Sequence, residues 1–120
     1  MVTIYEAIFT GQFLSINRAY NQSRYIRTKT KQEYKLIFKK LIEKMGIKKQ
    51  IKQYRLEVTY NSRFDSLNLC AGLKIFEDSL NELNLIIDDS KKYQLGIKIE
   101  PDLTLLHNTY IIKIKVISFV

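Results

Sequence analysis

The sequence predicts an α/β protein of the α+β kind, one small domain in which a mixed β-sheet carries two helices, in the order β-loop-α-β-α-β-β. Three observations predict it. Apolar residues recur at helical spacing in two stretches, about 31–46 and 66–83. Four further stretches are short and apolar in the manner of strands. One proline and four glycines in 120 residues, 46% of them hydrophobic, suit a single core spanning 1–120 and argue against disorder or a flexible linker.

Residues 2–10 read as the first strand, with Val2, Ile4 and Ile8 on one side and Tyr5, Ala7 and Phe9 on the other. Apolar residues on both sides predict an interior strand. Residues 11–30, GQFLSINRAYNQSRYIRTKT, show neither period and read as a long loop. In the first helix Tyr34, Ile37, Phe38, Leu41, Ile42 and Met45 form one stripe, and Gly46 supplies a C-terminal stop. Lys31, Lys35, Lys39 and Lys44 are spread over its remaining surface. Residues 52–62 alternate as a strand, with Tyr54, Leu56, Val58 and Tyr60 on one face. The second helix carries Leu69, Leu73, Phe76, Leu80 and Leu83 as its core stripe. Two more strands, 94–100 and 109–119, flank a connection that holds the single proline.

Charge is the first functional signal. Lys and Arg outnumber Asp and Glu by 20 to 12, and 13 of the 20 lie in residues 18–55 beside only Glu33 and Glu43. The rest of the chain is mildly acidic, with 7 basic against 10 acidic residues. A positive region beside an acidic one suits a polyanion-binding enzyme whose carboxylates hold a metal, with solvated surface lysines as the plainer alternative for the charge alone. One cysteine, Cys70, excludes an intrachain disulfide and a cysteine-rich zinc site, and one histidine, His107, argues against a histidine-based metal site. Cys70 is expected partly buried on a helix flank, and His107 structural or solvent-facing. No signal peptide is visible, and the opening MVTIYEAIFTG is too short and polar for a membrane span. A cytosolic protein without a membrane partner is expected.

The chemistry-bearing residues gather around the second helix. Asn68, Ala71, Ile75 and Asp78 follow a line away from the leucine stripe, with Lys74 one turn before Asp78. Asp65 precedes the helix, and Asp88 and Asp89 follow the apolar run Leu83, Leu85, Ile86 and Ile87. Carboxylates from a strand end and a separate loop can converge on a hard divalent cation such as Mg²⁺, which activates water and steadies charge on a phosphate. A lysine beside them adds positive charge where phosphate sits. Each residue also has a plainer role: Asp65 as a helix cap, Lys74 and Asp78 as a surface pair, and Asp88–Asp89 as an exposed turn.

In combination these residues resemble the RusA family of Holliday-junction resolvases, small phage and prophage endodeoxyribonucleases. Family members carry an Asp-x-Asp-Asn cluster, then a lysine and an aspartate along a helix, then an Asp-Asp pair after an apolar run. The corresponding text here is DSLN at 65–68, Lys74, DSL at 78–80 and LIIDD at 85–89. Upstream, Gly11, the Ser15-x-Asn17 pair and the threonine-to-tyrosine run into the first helix resemble the family's N-terminal region. These segments cover about half of the 120 residues.

The resemblance implies a Mg²⁺-dependent nuclease (Mn²⁺ as the substitute) that resolves Holliday junctions or other branched DNA in recombination and repair, acting as a homodimer in the cytoplasm, the host's if phage-encoded. It makes Asp65, Asp88 and Asp89 the metal-site acids and Lys74 the phosphate-facing cation. Asn68 would orient the site, and Asp78 would support Lys74 or the metal. Arg18, Arg24, Arg27 and Lys29, interleaved with Tyr20 and Tyr25, become candidates for DNA-backbone contact. One departure stands out. Leu67 occupies the place of the second Asp of the cluster, and leucine cannot ligate a metal. The alternative is a RusA-like protein that binds DNA or a phage or host partner without cleaving.

Overall fold

The computed structural model describes residues 3–14 and 23–120, so Val2, Arg18 and Tyr20 lie outside the described residues. Strand β1 (Thr3–Thr10), helix α1 (Arg24–Met45), strand β2 (Ile51–Asn61), helix α2 (Cys70–Glu82), strand β3 (Gln94–Pro101) and strand β4 (Thr109–Phe119) follow one another in the predicted order. Among the described residues the sheet has the strand order β1-β4-β2-β3, with β2 and β3 parallel and the other neighbours antiparallel. Together with the two helices packed on it, this is the mixed-sheet α+β fold.

Register follows from side-chain alternation. Tyr54, Leu56, Val58 and Tyr60 of β2 pair with Val116, Ile114, Ile112 and Tyr110 of β4, and all eight are buried. A slip of one residue would turn every one of them to water, so the pairing is strongly specified. Tyr34, Phe38 and Ile42 of α1 and Leu73, Phe76 and Leu80 of α2 close over this face. Phe38 joins the layers, with its ring centroid 6.0 Å from Phe9, 5.8 Å from Phe13 and 5.6 Å from Phe76. Stacked and edge-on aromatic pairs of this kind add to the area they bury.

Several expectations need correction. β1 is an edge strand: among the described strands it pairs with β4 alone. Its outward side chains Ile4 and Ile8 are 50% and 58% exposed, so apolar residues on both faces did not signal an interior position in this chain. Helix α1 begins at Arg24, so residues 24–30 are helical where a loop is expected. Ser23 caps it by accepting from the Ile26 N–H at 3.3 Å, and Thr30 is the one buried residue of those early turns, too few to write a period. Gly46 ends it as predicted, in the left-handed conformation with φ 69°.

The second helix is preceded by a 3-10 turn over Ser66–Leu69. Ala71 and Ile75 are buried, so the line drawn through Asn68, Ala71, Ile75 and Asp78 is not a solvent face. The exposed line is Cys70, Lys74 and half-buried Asp78, and Cys70 is exposed where partial burial is expected. No described helix is long and apolar enough to cross a membrane.

Candidate functional site

Two connections and helix α2 present the acidic residues. After β2, the Tyr60 hydroxyl donates to the Phe64 carbonyl at 2.9 Å, and the Phe64 N–H donates to the Ser62 hydroxyl oxygen at 3.3 Å. That tight turn delivers Asp65 in extended conformation to the head of the 3-10 turn, where the Asn68 N–H donates to its carbonyl at 3.0 Å. The Asp65 carboxylate is exposed and makes no capping hydrogen bond, so capping does not account for it. Leu67 is 77% exposed. A leucine left in water forgoes the roughly 1.5–3 kcal/mol that burying such a side chain provides, so packing does not account for it.

Lys74 stands on the exposed line of α2, one turn after Cys70 and one before Asp78. Its ammonium pairs with Asp78 Oδ1 at 3.2 Å and with Asp89 Oδ2, fifteen residues further on. The Asp88–Asp89 turn is held at both ends. Before it, Ile86 is buried beside the start of β2, where the Ile51 N–H donates to the Leu85 carbonyl at 2.8 Å. After it, the Tyr93 and Gln94 N–H groups both donate to the Ser90 carbonyl at 2.9 Å.

Beneath the lysine lies Glu77, only 5% exposed, whose Oε2 accepts from the Tyr54 hydroxyl at 2.6 Å. Burial pushes the Glu77 carboxyl above the ordinary carboxylate range, and the nearby Asp89 charge pushes it further, against the hydrogen bonds from Tyr54 and Gln94 and the charge of Lys74. The Tyr54 hydroxyl is raised as well, by burial first, then by its bond to Glu77 and the charges of Glu77, Asp89 and Asp88. Hydrogen bonding to Asp89 raises Lys74 despite partial desolvation, and the same bond lowers Asp89. Lys74 thus pairs with Asp78 and Asp89 close to the buried Glu77, and Asp88 adjoins Asp89. A cleft of about 250 Å³ between α2 and the β2–β3 pair opens beside them, lined in part by Cys70, Lys74, Glu77 and Gln94.

The structure brings together Lys74, Asp78 and Asp89 by ion pairs, with Asp88 beside Asp89. Asp65 shares no hydrogen bond or ion pair with them. Arg24, Tyr25, Arg27 and Lys29 lie on the first turns of α1, with Arg24, Tyr25 and Lys29 exposed. Glu77, Tyr54 and Gln94 escaped sequence reasoning. The available signal was an acid at 77 within the apolar stripe of Leu73, Phe76 and Leu80, a place where burial demands a partner.

Among the described residues no group of three or more His, Cys, Asp or Glu side chains is arranged to hold a metal ion. The donor chemistry nevertheless suits a hard cation. It consists of carboxylate oxygens with an excess of negative charge, and Mg²⁺ commonly takes one or two carboxylates together with substrate phosphate and water. No family model matches the chain, and no curated protein matches it significantly.

Proposed function

We propose that this chain is a RusA-like, Mg²⁺-dependent endodeoxyribonuclease that cuts four-way or otherwise branched DNA as a homodimer. The observation that carries this reading is the junction of Lys74 with Asp78 on its own helix and Asp89 on a separate turn. The resemblance requires these residues to act together, and fifteen residues of sequence do not by themselves bring Lys74 and Asp89 into contact. Asp88 and Asp89 would hold the ion, two carboxylates being a common complement for Mg²⁺; among the described residues Asp65 joins them in no three-acid group. Bound there, the ion would supply charge neutralisation at the phosphate and a more acidic water.

The chain's own residues do the rest. Lys74 has two carboxylate partners and remains partly exposed, so an incoming phosphate can take up its ammonium. Glu77, anchored by Tyr54, fixes the floor of the cleft and opposes any anion that enters without a compensating cation. The exposed basic residues at the head of α1, Arg24 and Lys29, neutralise the DNA backbone without reading its sequence. The test is nicking of a synthetic four-way junction. Mg²⁺-dependent cuts in the junction and not in linear duplex are expected, and no cleavage with Mg²⁺ or Mn²⁺, at enzyme excess and low salt, overturns the reading.

A second reading, junction binding without cleavage, is favoured by the exposed Leu67 in the place of an acid. On that reading the wild-type protein shifts the junction in a gel and leaves it intact, and Leu67→Asp restores cutting.

A further inference from the structure

Lys74 already occupies part of the place that a divalent cation would need. Its ammonium is paired with Asp89 Oδ2 and reaches Asp78 Oδ1 at 3.2 Å. The Asp88 side chain in turn adjoins Asp89. A divalent cation shared by Asp88 and Asp89 would therefore stand beside a positive charge and compete with it for one carboxylate. Like charges that close repel, and partial exclusion of water strengthens the repulsion. Asp89 can serve the ammonium or the cation better than it can serve both.

The lysine is free to leave, and the aspartate is not. The Lys74 side chain is 55% exposed, against 26% for Asp89, so more than half of it moves through water. Exposed ion pairs contribute little to stability, and lysine before aspartate is the less favourable order for a pair on one helix. Asp89, by contrast, belongs to a turn fixed at Leu85 on one side and at Ser90 on the other. Asp78 stands one turn beyond Lys74 on the same helix, so it keeps the ammonium near the site after Asp89 has let it go.

We propose that Lys74 is a tethered counter-ion that regulates the Asp88–Asp89 pair, neutralising Asp89 in the free protein and moving to Asp78 and a substrate phosphate when a divalent cation takes Asp89. This rests on the nuclease reading and adds to it a coupling between two ligands. A phosphate that draws off the ammonium opens Asp89 to the cation. A cation on Asp89 releases the ammonium to phosphate. Each ligand then strengthens the binding of the other by one and the same factor. Lys74 thereby holds the affinity for the cation low until a phosphate backbone is in place.

Cation binding can be followed without DNA and without cleavage. Electron paramagnetic resonance of free Mn²⁺ measures its affinity for the full chain as wild type, as Lys74→Met and, to control for net charge, as Lys115→Met, which removes the partner of Glu57 on the sheet. Lys74→Met should bind Mn²⁺ about tenfold more tightly than the wild type, a factor typical of coupled sites, and Lys115→Met should match the wild type. In the wild type, the nitrogen resonance of the Lys74 ammonium, identified by its absence from Lys74→Met, should shift as Mg²⁺ is added. An affinity in Lys74→Met equal to or below that of the wild type, or a Lys74 resonance unmoved at saturating Mg²⁺, overturns the proposal. Absence of Mn²⁺ binding by Lys74→Met overturns it as well. Mg²⁺-dependent nicking of the four-way junction by the wild type reads the nuclease separately, so the counter-ion can fail while the nuclease stands.

Discussion

Glu77 illustrates how a single buried acid ties packing to chemistry. It is held by the Tyr54 hydroxyl at 2.6 Å, beside the Asp89 charge, and its carboxyl is raised by burial. A raised folded-state value means that the folded protein holds this proton more tightly than the unfolded chain. The resulting stability is present below the ordinary carboxylate range and is lost as pH rises through the raised value. Asp89 has the opposite sign: its value is lowered by Lys74, so its contribution is present at neutral pH and lost as pH falls through the depressed value. Glu77→Gln keeps an oxygen for Tyr54 and removes the charge. Thermal melts at pH 4 and pH 8 should show the variant gaining on the wild type at pH 8 and losing that advantage at pH 4. The same variant should change junction cleavage if the charge on Glu77 matters to the site.

At the scale of elements, the strength of a periodic pattern decided what could be read. The alternation of Tyr54, Leu56, Val58 and Tyr60 and the stripe of Leu73, Phe76 and Leu80 are dense, and both elements formed where predicted. The first turns of α1 bury only Thr30, and that stretch reads as loop because its helical signal is a serine cap, not a stripe. Gly72 had no legible role, since its reason is a close approach from another element. A Cβ there would overlap the Phe13 ring, which lies beyond the end of β1. Gly72→Ala therefore forces the ring or the helix to move and should lower stability by about 1–3 kcal/mol. The urea unfolding midpoint measures it, and an unchanged midpoint would mean that Phe13 has room to shift.

Across the whole molecule, the sheet-and-two-helix architecture was legible because four strands and two stripes leave few ways to bury both. Strand order was not: β1 reads as interior because Ile4 and Ile8 stand opposite Tyr5, Ala7 and Phe9, yet both isoleucines are exposed on an edge strand. The candidate site was legible as residue types in order, Lys74, Asp78 and Asp88–Asp89. Its floor, Glu77 on Tyr54, required the pairing of α2 with β2 across the core. Leu67 departs from the pattern of the family proposed for this chain, and its exposure puts that departure on the surface and not in the core.

On the proposed reading, the Lys74–Asp89 cluster carries phosphodiester cleavage of branched DNA. The most direct measurement compares wild type with Asp89→Asn on one labelled four-way junction, following binding by gel shift and strand nicking in Mg²⁺. Cleavage by the wild type, with a loss of about 10²-fold or more in Asp89→Asn at nearly unchanged binding, is the expected result. Equal cleavage by both proteins overturns the proposed function, as does binding without cleavage that Leu67→Asp fails to convert into cutting.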